Sequence, residues 1–159
     1  MNIVEKLTER WRDIDYPFLV HSSGELRFSE IAEQIAVEVS EVKGGDVVAL
    51  IGDFDPQSIL TLLQLIDKNV ILVPLTVDTR AQHEYFFESA LVDVVIEGDE
   101  ITRISHSRKH ESIESLRTKE HAGLVLFSTG TTGRPKAILH DLTLFMQRFE
   151  TPRPTLKTI

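Results

Sequence analysis

Val47-Val48-Ala49-Leu50-Ile51, closed by Gly52, is an unbroken apolar run, and its reading decides the fold. A short apolar run without alternation marks a strand covered on both faces. Two similar runs follow, Val70-Ile71-Leu72-Val73 and Val92-Asp93-Val94-Val95-Ile96. Between the first two lies Asp55-Pro56, an N-cap with proline at the first helical position. The helix it opens is apolar at Ile59, Leu62, Leu63 and Ile66, with Leu60 and Leu65 widening the stripe. Asp78 or Thr79 is predicted to open another helix before the third strand. Strands of this kind alternating with helices require a parallel sheet with crossover connections, whereas an antiparallel sandwich would show alternation and tight turns. The fold class is therefore α/β, a parallel-sheet sandwich of alternating strands and helices.

Upstream, Ile3, Val4, Leu7, Trp11 and Ile14 share one helical face over residues 3–14. Phe18–His21 and Leu26–Phe28 flank Ser22-Ser23-Gly24-Glu25 and read as a short hairpin. Ser29 is predicted to cap a helix carrying Ile31, Ile35, Val39 and Val42, ended by Gly44-Gly45. Downstream, residues 99–121 are polar and read as a surface excursion with few apolar anchors, Ile101, Ile104, Ile113 and Leu116.

The 159 residues suffice for one domain with a genuine core. Lys+Arg 17 against Asp+Glu 25 leaves a formal charge of −8, which argues against nucleic acid or an anionic membrane as partner. The absence of cysteine excludes disulfides, thiolate nucleophiles and Cys-ligated zinc. No run approaches the roughly 18 apolar residues of a membrane span, and the start has no apolar signal region. A soluble, cytoplasmic protein is expected.

The segment that carries chemistry is Gly123-Leu124-Val125-Leu126-Phe127, another buried-strand run, flowing into Ser128-Thr129-Gly130-Thr131-Thr132-Gly133-Arg134-Pro135-Lys136. Glycines let the backbone approach a ligand closely, and a turn so built can aim successive N–H groups into an anion nest. The hydroxyls add donors, and Arg134 and Lys136 add positive charge at the loop exit. A donor and cation set of this kind suits a polyphosphate. It is neither a Walker A loop, lacking the Gly-Lys-Ser/Thr ending, nor a dinucleotide fingerprint. The competing reading is a glycine-rich hairpin turn, though a plain hairpin needs only about two to five loop residues.

Leu126 to Lys136 resembles the phosphate-loop signature of the adenylate-forming enzymes, the superfamily of acyl-CoA synthetases, non-ribosomal peptide synthetase adenylation domains and firefly luciferase. Leu26-Arg27-Phe28-Ser29-Glu30-Ile31 is similar to that family's early L-T-Y-x-E-L segment. Lys43 to Leu50 resembles its G-D-x-V-A-L strand, and Leu65 to Leu75 its G-A-x-x-V-P-L strand. The resemblance runs from about Leu26 to Ile159. Ala137 stands where the family usually has glycine, and Asn69 where glycine-alanine is common.

The resemblance implies an enzyme that activates a carboxylic acid with MgATP, giving an acyl-adenylate and pyrophosphate, the acyl group then passing to CoA or a carrier-protein thiol. Ser128, Thr129, Gly130, Thr131, Thr132, Gly133 and Lys136 would hold the ATP phosphates, and Ala137-Ile138-Leu139-His140 would be the strand leaving the loop. Asp141 would cap the following helix, through about Phe149. His140 is read as structural. Family enzymes continue well past this loop, into the acid pocket, adenine contacts and a mobile C-terminal domain. Residues 1–159 thus read as the N-terminal part of an AMP-binding domain, expected to lack acid-dependent ATP–pyrophosphate exchange alone and to contain no catalytic residue. The motifs lean mildly toward a stand-alone acyl ligase. The alternative is a short non-enzymatic nucleotide- or phosphate-binding or regulatory module.

Further candidates have plainer explanations. His106 and His110, spaced i, i+4, with His121 nearby, lack the carboxylate of a zinc pattern such as H-E-x-x-H, so no metal site is assigned. Asp53 and Asp55 follow the first sheet strand, where α/β sheets bind ligands, but turn and N-cap roles explain them better. Tyr85-Phe86-Phe87 reads as core. Phe145, Phe149, Leu156 and Ile159 are candidates for an apolar flank that would drive self-association of the isolated chain.

Overall fold

The run at 47–51 forms β3 (Val47–Ile51), with all five residues buried, as a strand covered on both faces requires. The computed structural model describes residues 3–33, 39–53, 55–128 and 133–149. A six-stranded sheet is built around β3, β4 (Ile71–Leu75), β5 (Val94–Glu97) and β7 (Gly123–Ser128). These four strands are mutually parallel. β6 (Glu100–Arg103) and β8 (Lys136–Asp141) close the two edges antiparallel, giving the order β6-β5-β3-β4-β7-β8. A separate hairpin, β1 (Leu19–His21) with β2 (Gly24–Leu26), precedes the sheet.

Both faces of the sheet are covered. Val48, Leu50 and Leu72 pack with Leu65 of α3 (Pro56–Asp67). Leu63 and Ile66 of α3 meet Phe28, at the start of α2 (Phe28–Glu33), and Leu142, at the start of α6 (Leu142–Gln147). Leu7 and Trp11 of α1 (Ile3–Trp11) pack against that same cluster. On the opposite face Val47, Ala49, Ile71 and Val73 pack with Phe86 and Ala90 of α4 (His83–Ala90) and with Ile113 and Leu116 of α5 (Glu111–Lys119). Each fully buried Val, Leu, Ile or Phe side chain here contributes about 1.5–3 kcal/mol, and the alanines less.

The chain leaves β3 through α3 on one face and β4 through α4 on the other. Neighbouring strands whose connections diverge in this way open a crevice at their carboxyl ends, where such sheets bind ligands. A 260 Å³ hollow lies there, lined by Leu50, Ile59, Leu62, Pro74, Leu75 and Leu126 among others.

Several local expectations are corrected. Phe28 starts α2 rather than ending a strand, and Ser29 lies inside that helix; Glu30 reaches back to accept from the Arg27 N–H at 2.6 Å and does the capping. Val39 and Val42 are buried but lie beyond the helical residues, and Ile35 falls outside the described residues. Ile14 lies beyond the end of α1. A 3₁₀ turn, Val77–Gln82, precedes α4 where a helix from Asp78 or Thr79 is predicted. His83 is buried and bonded through Nε2 to the Thr76 carbonyl at 3.0 Å, which pins that turn.

The polar stretch at 99–121 is ordered structure rather than an excursion. Ile101 pairs with Ile96 in the sheet, and Ile113 and Leu116, three apart, bury one side of α5. Two apolar residues suffice for a short helix whose remaining face is solvated. Asn69, by contrast, explains a departure from the family pattern. Its φ is 56°, a left-handed conformation that glycine adopts freely and asparagine tolerates.

Candidate functional site

β7 and β8 form the hairpin that carries the glycine- and threonine-rich loop. Register runs from Gly123 opposite Asp141 to Ser128 opposite Lys136, so the loop closes on the Ser128–Lys136 pair. Directly opposed residues of an antiparallel pair share a sheet face. Alternation puts Leu126, Ile138 and His140 on that same face, the side covered elsewhere by α3, and puts Phe127 and Leu139 on the α4 side. Because β7 is parallel to β4, the closed end of the hairpin stands at the carboxyl end of the parallel strands.

Of the sequence-predicted site, Ser128 is half-buried at the end of β7 and Lys136 is exposed at the start of β8. Gly133 has φ 141° with open space where a Cβ would stand, so its backbone conformation, and not a close neighbour, requires glycine. Thr129, Gly130, Thr131 and Thr132 lie outside the described residues. His140 is exposed on β8.

The hairpin is braced from beneath by α4. Phe86 stacks on Phe127 at 4.1 Å between ring centroids. The Tyr85 hydroxyl donates to the Pro135 carbonyl at 2.7 Å, and the Arg134 guanidinium lies over the Tyr85 ring, 5.3 Å from its centre. Tyr85, Phe86 and Phe87 do pack in the core, as expected. The loop contact of Tyr85 was not legible beforehand, since its partner lies fifty residues away and no local pattern marks it.

The remaining candidates have structural partners. Asp55 caps α3: its carboxylate accepts from the Ser58 N–H at 2.9 Å and the Ser58 hydroxyl at 2.6 Å. Burial alone would raise this carboxyl, but the Ser58 bonds outweigh it and hold it below the usual carboxylate range. Asp53 accepts from the Val77 N–H at 3.1 Å. His110 caps α5 through Nδ1, and His106 reaches the Leu91 carbonyl at 3.1 Å and Asp93 at 3.2 Å. His121 pairs with Asp141 at 2.8 Å. Asp141 itself caps α6 by accepting from the Leu144 N–H; burial pushes its carboxyl up, while Leu144 and His121 bring it net below the usual range. Among the described residues no group of three or more His, Asp or Glu could hold a metal ion, and no helix is long and apolar enough to cross a membrane.

No family model matches the chain. A curated relative, the phenyloxazoline synthase MbtB of Mycobacterium sp. (strain MCS), is 26% identical over 143 residues, covering 78% of this chain and 12% of the relative. The N-terminal subdomain of Klebsiella oxytoca NpsA, solved with anthranilyl-AMSN, superposes with a TM-score of 0.67 at 20% identity. That match covers 98% of this chain and 44% of that one. VinN, solved with L-aspartate, gives a TM-score of 0.60 at 16% identity over 88% of this chain and 47% of its own. The chain thus spans less than half the length of each of these proteins. Fold and sequence point the same way: the chain has the fold of the NpsA N-terminal subdomain over nearly its whole length and is similar to the phenyloxazoline synthase over 78% of it, in line with the resemblance of the loop sequence at 126–136 to the adenylate-forming enzymes.

Proposed function

We propose that this chain supplies the phosphate-binding part of an enzyme that activates a carboxylic acid with MgATP to an acyl-adenylate. The observation that carries the reading is the Ser128–Lys136 pair, one hydroxyl and one cation on a shared face, closing a donor-rich loop at the carboxyl end of a parallel sheet. The chemistry of that donor set fits a polyphosphate, since Ser128 to Lys136 offers hydroxyls, backbone N–H groups and two cations but no carboxylate. Ser128, Thr129, Gly130, Thr131, Thr132, Gly133 and Lys136 would hold the phosphates. Mg²⁺ would arrive on the nucleotide, because the loop has no anionic ligand for it.

The acid's carboxylate would attack the α-phosphate, and pyrophosphate would leave. The chain's own contribution is to position the leaving phosphates and balance their charge, which is electrostatic rather than covalent catalysis. A carrier-protein thiol is the favoured acceptor over CoA. A structural neighbour, NpsA-ThdA, is an artificially fused Adenylation-PCP di-domain from Klebsiella oxytoca, with a TM-score of 0.60 at 21% identity over 86% of this chain and 31% of its own.

Titration of the chain with MgATP, wild type against Lys136→Ala, tests the phosphate role. A tenfold or greater loss of affinity is expected, since a charge-assisted contact is worth about 1.5–3 kcal/mol. Equal binding by the two proteins would sink it. No acid-dependent pyrophosphate exchange is expected from residues 1–159 alone, and exchange with any carboxylic acid would refute that part.

A further inference from the structure

We propose that Tyr85 is a positioning residue for the loop: it fixes the exit limb of residues 133–136 to α4 and docks Arg134 beside it. The proposal rests on the phosphate reading above.

Successive residues of one helix hold the two limbs of the hairpin. Phe86 is buried and stacks on Phe127, at the end of the entering strand. Tyr85, its neighbour, donates its hydroxyl to the Pro135 carbonyl at 2.7 Å. Proline has no N–H, so that carbonyl is the sole backbone hydrogen-bonding group at position 135, and the ring already limits φ there. The exit limb therefore has an anchored point one residue before Lys136. Since Lys136 stands opposite Ser128, anchoring Pro135 also holds that pair in register.

Arg134 is the second part of the device. Its guanidinium lies over the Tyr85 ring, on the α4 side of the hairpin, whereas Lys136 shares the face of Ser128 on the α3 side. A cation on an aromatic face is drawn to the electron-rich centre of the ring. Glu84 and Glu88, one turn apart on α4, line the same 390 Å³ recess as Arg134 and Tyr85 and supply a favourable field. The loop's two cations are thus divided between two faces, and the tyrosine is what divides them.

The test is Tyr85→Phe, which keeps the ring and its packing and removes only the hydroxyl. Deuterium uptake is followed in the peptide spanning Gly133–Ile138, with the α3 peptide as internal control, and MgATP affinity is measured in parallel. The expected result is faster uptake confined to 133–138 and a roughly three- to tenfold weaker MgATP affinity, the size of one lost hydrogen bond. Arg134→Gln, which leaves the hydroxyl in place, is expected to leave uptake near the wild-type value. Unchanged uptake in Tyr85→Phe overturns the tether. Faster uptake with affinity within twofold of wild type overturns the positioning role. If wild type and Lys136→Ala bind MgATP alike, the phosphate reading fails by itself, and uptake alone then decides whether Tyr85 holds the loop exit.

Discussion

Replacing Asp55 separates a cap from a ligand at the carboxyl end of β3. The structure gives its carboxylate two bonds, to the Ser58 N–H at 2.9 Å and to the Ser58 hydroxyl at 2.6 Å. Loss of an N-cap costs about 1 kcal/mol. The second, charge-assisted bond on this half-buried pair adds about another 1 kcal/mol. Asp55→Ala is therefore expected to lose about 2 kcal/mol, which for a chain of this size lowers Tm by roughly 4–8 °C.

The pH dependence has a definite sign. A carboxyl held below its ordinary value of 3.8 stabilises the fold fully above that value, and the contribution fades as pH falls through the lower folded pKa. Urea unfolding followed by circular dichroism should show the full gap between Asp55→Ala and wild type at pH 7, narrowing below pH 3.8. Asp55→Asn keeps an N-cap of nearly equal rank and should lose under about 1 kcal/mol, with MgATP affinity within twofold of wild type. A gap for Asp55→Ala that is the same at low and neutral pH would refute the carboxylate argument. A folded Asp55→Asn with tenfold weaker MgATP binding would make the residue a ligand instead.

Gly52→Ala should destabilise by about 1–3 kcal/mol, because the new Cβ would lie 2.0 Å from the Ser58 hydroxyl and drive it off Asp55; a denaturation midpoint equal to wild type would contradict this. Glu120, the C-cap of α5, has φ 54°, so Glu120→Gly should raise stability by up to about 1 kcal/mol, read as a higher Tm. Phe145 and Phe149 are each 50% exposed and meet edge to face at 5.3 Å, next to exposed Leu144. The isolated chain should self-associate, and serine at both rings should shift its sedimentation toward monomer; an unshifted profile would clear these rings of the contact. Leu156 and Ile159 lie outside the described residues.

Legibility followed the range of the interactions involved. The strands at 47–51 and 71–75 stood out because burial on both faces demands unbroken apolar runs, which no loop or solvated helix imitates; the run at 123–127 reads the same way but is covered on one face only toward its end, where Leu126 is 44% exposed. The cap at Asp55 was equally plain, its partner being three residues away. β6 and α5 were not, since each buries so few residues that its own sequence is mostly a solvated surface. Ile101 shows its role only when set against Ile96. Arg117 of α5 reads locally as surface charge, yet it donates to the Gly45 carbonyl at 2.9 Å and to Asp93 at 2.8 Å, joining three distant segments.

The loop divides in the same way. Composition and order along residues 126–136 determined by themselves that the segment is a donor-rich turn resembling a phosphate loop, because glycines, hydroxyls and cations carry their chemistry wherever they are placed. The covalent chain also determined the parallel-sheet class. Only the tertiary structure decided that Ser128 and Lys136 face each other on one side of the sheet, that the loop stands at the carboxyl end of four parallel strands, and that α4 reaches it through Tyr85. Strand order and register are set by packing between segments dozens of residues apart, and no window along the chain contains both partners of such a contact.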